Sequence, residues 1–174
     1  IPDSDVSPTW NPEFFANAMV VNGRTWPKMT VEPRRYRFRL LNGCNSRFMI
    51  LRLTTVNAEA AADPVTGNWP PAATVPMWRI GASGGFLPGA LEQRDILLAP
   101  AERADVIVDF SDMPAGTKVY MVNLGPDEPF GGGEGGTDFD YANPRTTGQV
   151  MMFEVALPLS GTDATVNPAN GLSL

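Results

Sequence analysis

Short apolar segments separated by glycine and proline make up the hydrophobic pattern of this chain. The clearest is ADVIVDF at 104–110, where three β-branched residues lie between two aspartates, as is typical of a strand. No window of about ten or more residues carries the apolar repeat of a helix. We expect strands at 18–21, 36–41, 47–53, 77–80, 95–99, 104–110, 117–124 and 149–155. Many short strands with such turns predict an all-β protein, folded as an antiparallel sandwich or barrel.

The segment 31–53 (VEPRRYRFRLLNGCNSRFMILRL) predicts two strands and a turn that together form a hairpin. In its first strand, basic and large apolar residues alternate, and a period of two places them on opposite sheet faces. The alternating residues are Arg35, Arg37 and Arg39 on one face and Tyr36, Phe38 and Leu40 on the other. An anion site is one interpretation of the arginine row. A salt-bridged sheet face or an inter-domain contact is the more economical one.

The length of 174 residues suits one domain with its own core, which we assign to 1–157. Within it, 55–75 reads as an inserted loop, and 125–147 reads as a second long loop centred on the glycine-rich GGGEGG. The segment 158–174 has the polar composition of a tail or inter-domain linker.

Composition excludes several classes of function. With 43% hydrophobic and 18% charged residues the chain is an ordinary globular one. Its net charge of −6 argues against a nucleic-acid partner, despite the local arginine row. No apolar run reaches the roughly 18 residues of a membrane span. Because the chain opens on Ile1, we expect a mature or excised part of a longer protein, and the compartment stays open.

The chain contains no histidine and a single cysteine, Cys44. Copper, zinc and non-haem iron sites depend largely on imidazole, so we expect no metal site in this chain. Cys44 is either a small buried apolar residue near a turn or a reactive thiol, and the second role needs a basic neighbour such as Arg47.

Two short motifs fail when their chemistry is considered. Residues 81–85 (GASGG) fit the G-x-S-x-G pattern of serine hydrolases, but no helix pattern follows and no histidine exists to accept the serine proton. Residues 131–136 contain G-x-G-x-x-G, yet they do not join a strand tightly to a helix, so a surface loop is the better interpretation.

The carboxylates offer no acid–base pair. Asp105 and Asp109 would lie on one strand face about 13 Å apart, which is too far for a retaining glycosidase and long for an inverting one. Pairing of strand-end acids with the arginine row explains them more simply. The residues assigned to structural roles are therefore Arg35, Arg37, Arg39, Glu102, Arg103 and Asp105.

A set of longer motifs occurs in order along the chain. They are WNPEFF at 10–15, VVNGRTWP at 20–27, VEPRRYRFRLLN at 31–42, NSR at 45–47, IG at 80–81 with GGFL at 84–87, and LAPAERADVIVDF at 98–110. Together they closely resemble the middle domain of three-domain multicopper oxidases, nearest to the branch of spore-coat laccase, bilirubin oxidase and phenoxazinone synthase. The resemblance covers about 10–155 and implies a cupredoxin-like Greek-key sandwich with long loops. It departs from the family at Ser83, where aspartate is usual, and at the inserted loop 55–75.

The resemblance also implies a role. In that family the copper ligands are histidines and one cysteine of the first and third domains, and the middle domain carries none. Cys44 lies outside the His-Cys-His ligand motif, so no copper role passes to it. The middle domain forms part of the substrate-pocket wall in these relatives, and the matching positions are Glu13, Phe14, Phe15, Ala16 and the loop 125–137, with Gly125, Phe130 and Gly131. The alternative for Phe14 and Phe15 is that they are core residues at a strand entry.

Our leading hypothesis is thus a copper-free middle domain that is inactive alone. By resemblance, the intact enzyme would hold four copper ions, oxidise phenolic or similar donors and reduce dioxygen to water. The partners of this domain would be the flanking cupredoxin domains, and the intact enzyme would bind a phenolic-type small molecule. Its location would be secreted, periplasmic or spore-surface. The alternative is a stand-alone β-sandwich module that binds a partner through the arginine face or the glycine-rich loop.

Overall fold

A computed structural model describes residues 12–61 and 69–172. Trp10 and Asn11 of the first motif, 62–68 of the inserted loop and the last two residues of the predicted tail lie outside the described residues. The strands are β1 (Val20–Val21), β2 (Arg24–Thr25), β3 (Lys28–Val31), β4 (Arg35–Leu41), β5 (Met49–Thr54), β6 (Met77–Ala82), β7 (Gly85–Gln93), β8 (Asp95–Leu98), β9 (Arg103–Asp109), β10 (Lys118–Asn123) and β11 (Gln149–Val155). The described residues also contain one short helix, α1 (Ala58–Ala61), and a 3₁₀ turn at Pro168–Asn170.

Two sheets form the body of the domain. The first has the strand order β3-β11-β10-β5-β8 and the second has the order β4-β9-β6-β7. All neighbours are antiparallel except β11 and β3, which run parallel. β1 and β2 form a separate two-stranded hairpin. The predicted all-β sandwich is confirmed.

The core lies between the two sheets and follows the period of two in the sequence. On β9, Val106 and Val108 are fully buried, and on β4 the residues Tyr36, Phe38 and Leu40 pack against the same core. Phe110 and Phe153 complete an aromatic cluster in the middle of the sandwich, with ring centroids 5.6 Å apart. The arginines of β4 therefore point away from the core, as the alternation predicts.

The predicted hairpin at 31–53 is wrong. β4 pairs with β9 in the four-stranded sheet, whereas β5 pairs with β10 and β8 in the five-stranded sheet. The intervening residues cross from one layer of the sandwich to the other. Alternation in a sequence fixes which side chains face the core, but it does not fix which strand is the hydrogen-bonding neighbour.

The described parts of the inserted loop and of the C-terminal segment pack on the sandwich. In the inserted loop, Ala58 of α1 and Trp69 contact Val122 on the outer face of the five-stranded sheet, and Arg52 beneath them donates to the carbonyl of Pro71 at 2.8 Å. The described C-terminal residues cross the other layer: they contact β4 through Arg35 and β7 through a bond from Ala90 N to the carbonyl of Leu172 at 3.1 Å.

Candidate functional site

The segment 13–16 lies before β1 and against the turn that follows β4. Phe14 donates its backbone N–H to Asn45 Oδ1 and Ser46 Oγ, both at 3.2 Å. Its ring is 52% exposed, and Glu13 and Ala16 are exposed as well. Phe15 is half-buried. Phe14 is thus not a core residue, and an exposed aromatic ring is available at this edge of the domain.

Arg47 lies directly beneath that segment and its side chain is only 4% exposed. Its guanidinium donates to Asp127 through Nη1 and to the carbonyl of Ala16 through Nη2, the latter at 2.8 Å. The guanidinium carbon is 5.4 Å from the centroid of the Phe15 ring, within the range of a cation–π contact. The carboxylate of Asp127 thus compensates the buried charge of Arg47, and both terminal nitrogens of the guanidinium are hydrogen-bonded.

Asp127 links the same arginine to the glycine-rich loop. Its Oδ2 accepts from Thr147 Oγ1 at 2.6 Å and from Asn143 N at 3.5 Å, so the carboxylate joins the two ends of the loop. We call the set Phe15, Ala16, Arg47, Asp127 and Thr147 the Arg47 junction.

The start of the loop is fixed by Gly125 and Asn123. Asn123 is fully buried, and its Oδ1 accepts from Gly125 N at 2.9 Å and from Ile50 N at 3.0 Å. A Cβ at Gly125 would lie 2.5 Å from the carbonyl oxygen of Phe48, so only glycine fits without displacement of backbone. Further along, the ring of Phe130 packs between Phe48 and Phe139, at centroid distances of 5.1 and 5.3 Å.

The structure thus brings one end of the predicted wall together. Phe15 and Ala16 meet the first part of the 125–147 loop at Arg47, while the exposed Gly131 lies further along that loop. Arg47 was not predicted as the residue between these segments: in the sequence it stands out only as a neighbour of Cys44 and as part of the NSR motif at 45–47. Arg47 and Asp127 are 80 positions apart, and no local pattern signals a pair at that separation.

The remaining residues with predicted structural roles lie on the other layer. Arg37 donates through Nε to Asp105 at 2.8 Å, and its guanidinium carbon is 5.4 Å from the ring of Phe86. Arg35 donates to Asp109 at 3.1 Å. Burial raises the pKa of Asp109, but hydrogen bonds from Ser111 and Arg35 outweigh it and hold that pKa below its ordinary value. These pairs connect neighbouring strands of one sheet, and their contact with another domain stays a prediction.

Arg39, Glu102 and Arg103 surround the end of β4. Arg39 is exposed. Glu102 accepts from Ala99 N at 2.8 Å and closes a tight turn, and Arg103 donates to the carbonyl of Ser83 at 2.9 Å. Ser83 therefore lies in a turn between two strands, β6 and β7, and not at the start of a helix.

The part of the chain that the structure describes offers no cluster of metal ligands. The sequence has no histidine, and the described residues hold no group of three His, Cys, Asp or Glu side chains close enough to bind an ion. Cys44 is half-buried and packs against the apolar core. That burial raises the pKa of the Cys44 thiol, although the nearby charge of Arg47 lowers it in part, so little thiolate is present at neutral pH.

A groove of about 210 Å³ lies elsewhere, on the outer face of the five-stranded sheet. Trp26, Tyr120 and Met152 line it, with Lys28 at its side. Lys28 forms an ion pair with Glu154 at 2.8 Å, which neutralises its charge there. None of the residues predicted for the pocket wall borders this groove. No helix in the described part of the chain is long and apolar enough to cross a membrane.

Comparison with known proteins adds the family. No family model matches the chain. The laccase of Bacillus stratosphericus is 37% identical over 168 residues, which are 95% of this chain and 27% of the laccase. The bilirubin oxidase of Albifimbria verrucaria is 35% identical over 157 residues, 90% of this chain and 24% of that enzyme.

Among solved structures, the 2F4 variant of the McoA multicopper oxidase of Aquifex aeolicus matches with a TM-score of 0.66 and 28% identity, over 97% of this chain and 31% of that protein. The chain thus spans about a quarter of the length of the curated relatives it matches. Relatives of this kind align along nearly all of the sandwich, and the predicted resemblance is confirmed. The chain is a cupredoxin-like domain that is homologous to a part of the multicopper oxidases.

Proposed function

We propose that this chain is the copper-free middle domain of a three-domain, laccase-type multicopper oxidase. The observation that carries the proposal is the combination of coverage and composition. The chain aligns along 95% of its length with 27% of a laccase, yet it contains no histidine with which to bind copper. A domain of a copper enzyme that lacks imidazole must serve the copper-bearing parts without being one of them.

The activity proposed for the intact protein is oxidation of phenolic or similar donors coupled to reduction of dioxygen to water. Four one-electron oxidations of donor supply the four electrons that one dioxygen needs. We assign the four copper ions of that reaction to the flanking cupredoxin domains, so no chemical step takes place on a residue of this chain. A secreted, periplasmic or spore-surface location stays a prediction.

Two contributions remain for this domain. The first is as a spacer: two sheets packed around a continuous aromatic and aliphatic core form a stiff body that fixes the distance between its neighbours. The second is as part of the wall of the substrate pocket, through the exposed ring of Phe14 and the loop that begins at Gly125. Aromatic and apolar surface at a pocket wall suits planar phenolic substrates.

The reading frame on both sides of this chain tests the proposal most directly. We expect an H-x-H motif upstream and an H-C-H motif downstream, because these carry the imidazole and thiolate ligands that this chain lacks. Natural start and stop codons at its two ends would instead support a stand-alone binding module.

Copper analysis provides a second test. The purified chain is expected to retain less than stoichiometric copper after dialysis and to leave a phenolic dye unoxidised. The longer polypeptide is expected to bind copper stoichiometrically and to oxidise the dye. Tightly bound stoichiometric copper, or turnover at laccase-like rates, in the chain alone would overturn the proposed role.

The pocket wall is tested by Phe14→Ala in the longer polypeptide. We expect KM for a phenolic donor to rise several-fold because an exposed aromatic contact is lost. Leu97→Ala is the matched control: Leu97 is 46% exposed, but it lies on β8, in the five-stranded sheet. Equal kinetics for the two variants would remove Phe14 from the wall.

A further inference from the structure

We propose that Arg47 is a positioning residue for the pocket wall, because its guanidinium fixes the segment 13–16 and the loop 125–147 relative to each other. The proposal rests on the proposed function for its kinetic part, but its structural part stands on the contacts of Arg47 alone.

The contacts of Arg47 use the forked shape of a guanidinium. One terminal nitrogen donates to Asp127, the other donates to the carbonyl of Ala16 at 2.8 Å, and the central carbon lies over the ring of Phe15. An ammonium is a point charge on a flexible stem and cannot make these three contacts together. Arginine is therefore required by shape as well as by charge.

The main chain of Arg47 is fixed independently of its side chain. Its carbonyl accepts from Asn42 Nδ2 at 2.8 Å, and the same amide group donates to the carbonyl of Leu98 at 2.9 Å. Asn42 is buried at the end of β4, so the guanidinium projects from a rigid part of the sandwich toward two segments outside the sheets. Segments without strand pairing open more easily than sheet, and side-chain contacts decide how far they do.

Asp127 extends the effect along the loop. While one carboxylate oxygen binds Arg47, the other accepts from Thr147 Oγ1 at 2.6 Å, at the far end of the loop. Loss of the ion pair therefore releases Asp127 from Arg47, while the bonds of Asp127 to Thr147 and Asn143 and those of Asn123 to the loop remain. Phe15 and Ala16 lose their contacts with the guanidinium at the same time.

The chain contains a close match for a control. Arg37 also binds a carboxylate, that of Asp105, and its guanidinium carbon also lies 5.4 Å from an aromatic ring, that of Phe86. It differs in being about half exposed and in lying on the outer face of the four-stranded sheet. Arg47→Lys and Arg37→Lys thus make the same chemical change, the first at the buried Arg47 junction and the second at the exposed ion pair of Arg37 with Asp105.

Amide hydrogen exchange on the chain tests the structural part. In Arg47→Lys we expect exchange to rise about tenfold both at the Phe14 amide and at the Asn143 amide, which donates to Asp127, with the β-sheet amides unchanged. Arg37→Lys leaves both at wild-type rates. If Arg47→Lys does not fold, Asp127→Asn takes its place with Asp105→Asn as control. Faster exchange in only one of the two segments, or in neither, would overturn the proposal.

Kinetics of the longer polypeptide test the functional part. We expect Arg47→Lys to raise KM for a phenolic donor about 3- to 10-fold with kcat within about twofold, since the wall is displaced and the copper centres are not. Arg37→Lys keeps both constants. Faster exchange in both segments with an unchanged KM would show that Arg47 orders the two segments but that they do not border the substrate. If the longer polypeptide proves to have no oxidase activity, the proposed function fails while the exchange result still decides whether Arg47 couples the segments.

Discussion

Arg35 on β4 donates its backbone N–H to the carboxylate of Asp163, 128 positions later in the chain, at 2.9 Å. The Arg35 guanidinium donates to Thr165 Oγ1 and to the Thr165 carbonyl, both at 2.8 Å, and also to Asp109 on β9. One residue therefore joins two strands and the C-terminal segment. Ser160 N adds a bond to Glu32 at 3.0 Å, so the described part of the predicted tail is bound to the sandwich.

Acid should weaken this attachment. The Arg35 N–H, together with Thr165, holds the pKa of Asp163 well below its ordinary value. A carboxylate whose pKa is lower in the folded state stabilises the fold above its unfolded pKa, and this contribution is lost as the pH falls below about 4. The midpoint of urea unfolding should therefore be lower at pH 3.5 than at pH 7.

The variant Asp163→Asn measures how much of this pH dependence of stability comes from the Asp163 contact. The variant should show a smaller difference between the two pH values than wild type, because one titrating group is gone. Asp112→Asn, at an exposed position, is the control and should keep the wild-type difference. An Asp163→Asn protein with the full wild-type pH dependence would contradict the assignment.

Cys44 should react slowly with thiol reagents. It is half-buried, and burial raises its pKa, so both access and the thiolate fraction are reduced at pH 7. We expect the modification rate, followed by absorbance of the released thiolate, to be at least about tenfold below that of the urea-unfolded chain. A folded-state rate equal to the unfolded rate would place the thiol at the open surface and restore the reactive interpretation.

The sequence predicted the strands well where side-chain pattern alone determines them. β4 and β9 alternate large apolar residues with charged ones, and the structure buries the apolar set. β7 was missed, because Gly85, Pro88 and Gly89 in GFLPGALEQ are typical of turns. Proline is tolerated there because β7 is the edge strand of its sheet, where a missing N–H leaves no neighbour unpaired. Edge position is a property of the sheet, and the local sequence does not contain it.

The candidate site was predicted in part for a related reason. Resemblance identified 13–16 and 125–137 as separate segments, and their sequences show an aromatic pair and a glycine-rich loop. What holds them together is an arginine from a third segment, and the strand pairing of β5 with β10 brings Arg47 near Asp127. The wrong hairpin at 31–53 hid that relationship, since it left β5 without its real neighbours.

Core truncation should distinguish the two faces of the five-stranded sheet. Leu53 on β5 is fully buried between the sheets, whereas Leu97 on β8 is 46% exposed. Leu53→Ala removes packed methyl groups and leaves a cavity, so it should lower the free energy of unfolding by about 2–5 kcal/mol. Leu97→Ala should change it by less than about 0.5 kcal/mol. Denaturant titrations of the two variants test this prediction. A similar loss of unfolding free energy in both would mean that the assigned core is wrong.

The final prediction concerns the start of the glycine-rich loop. A Cβ on Gly125 would lie 2.5 Å from the Phe48 carbonyl oxygen, 3.1 Å from Asn123 Oδ1 and 3.2 Å from Ile50 N. Two of these atoms are backbone. The third, Asn123 Oδ1, accepts from Ile50 N and Gly125 N, so it cannot withdraw without loss of a hydrogen bond. Gly125→Ala should cost about 1–3 kcal/mol. That cost lowers Tm by about 2–4 °C for each kcal/mol in a chain of this size. Gly43→Ala, where a Cβ meets nothing within 4 Å, should leave Tm unchanged within about 1 °C. If both variants have the Tm of the wild type, the close approach of the loop to β5 does not exist in solution.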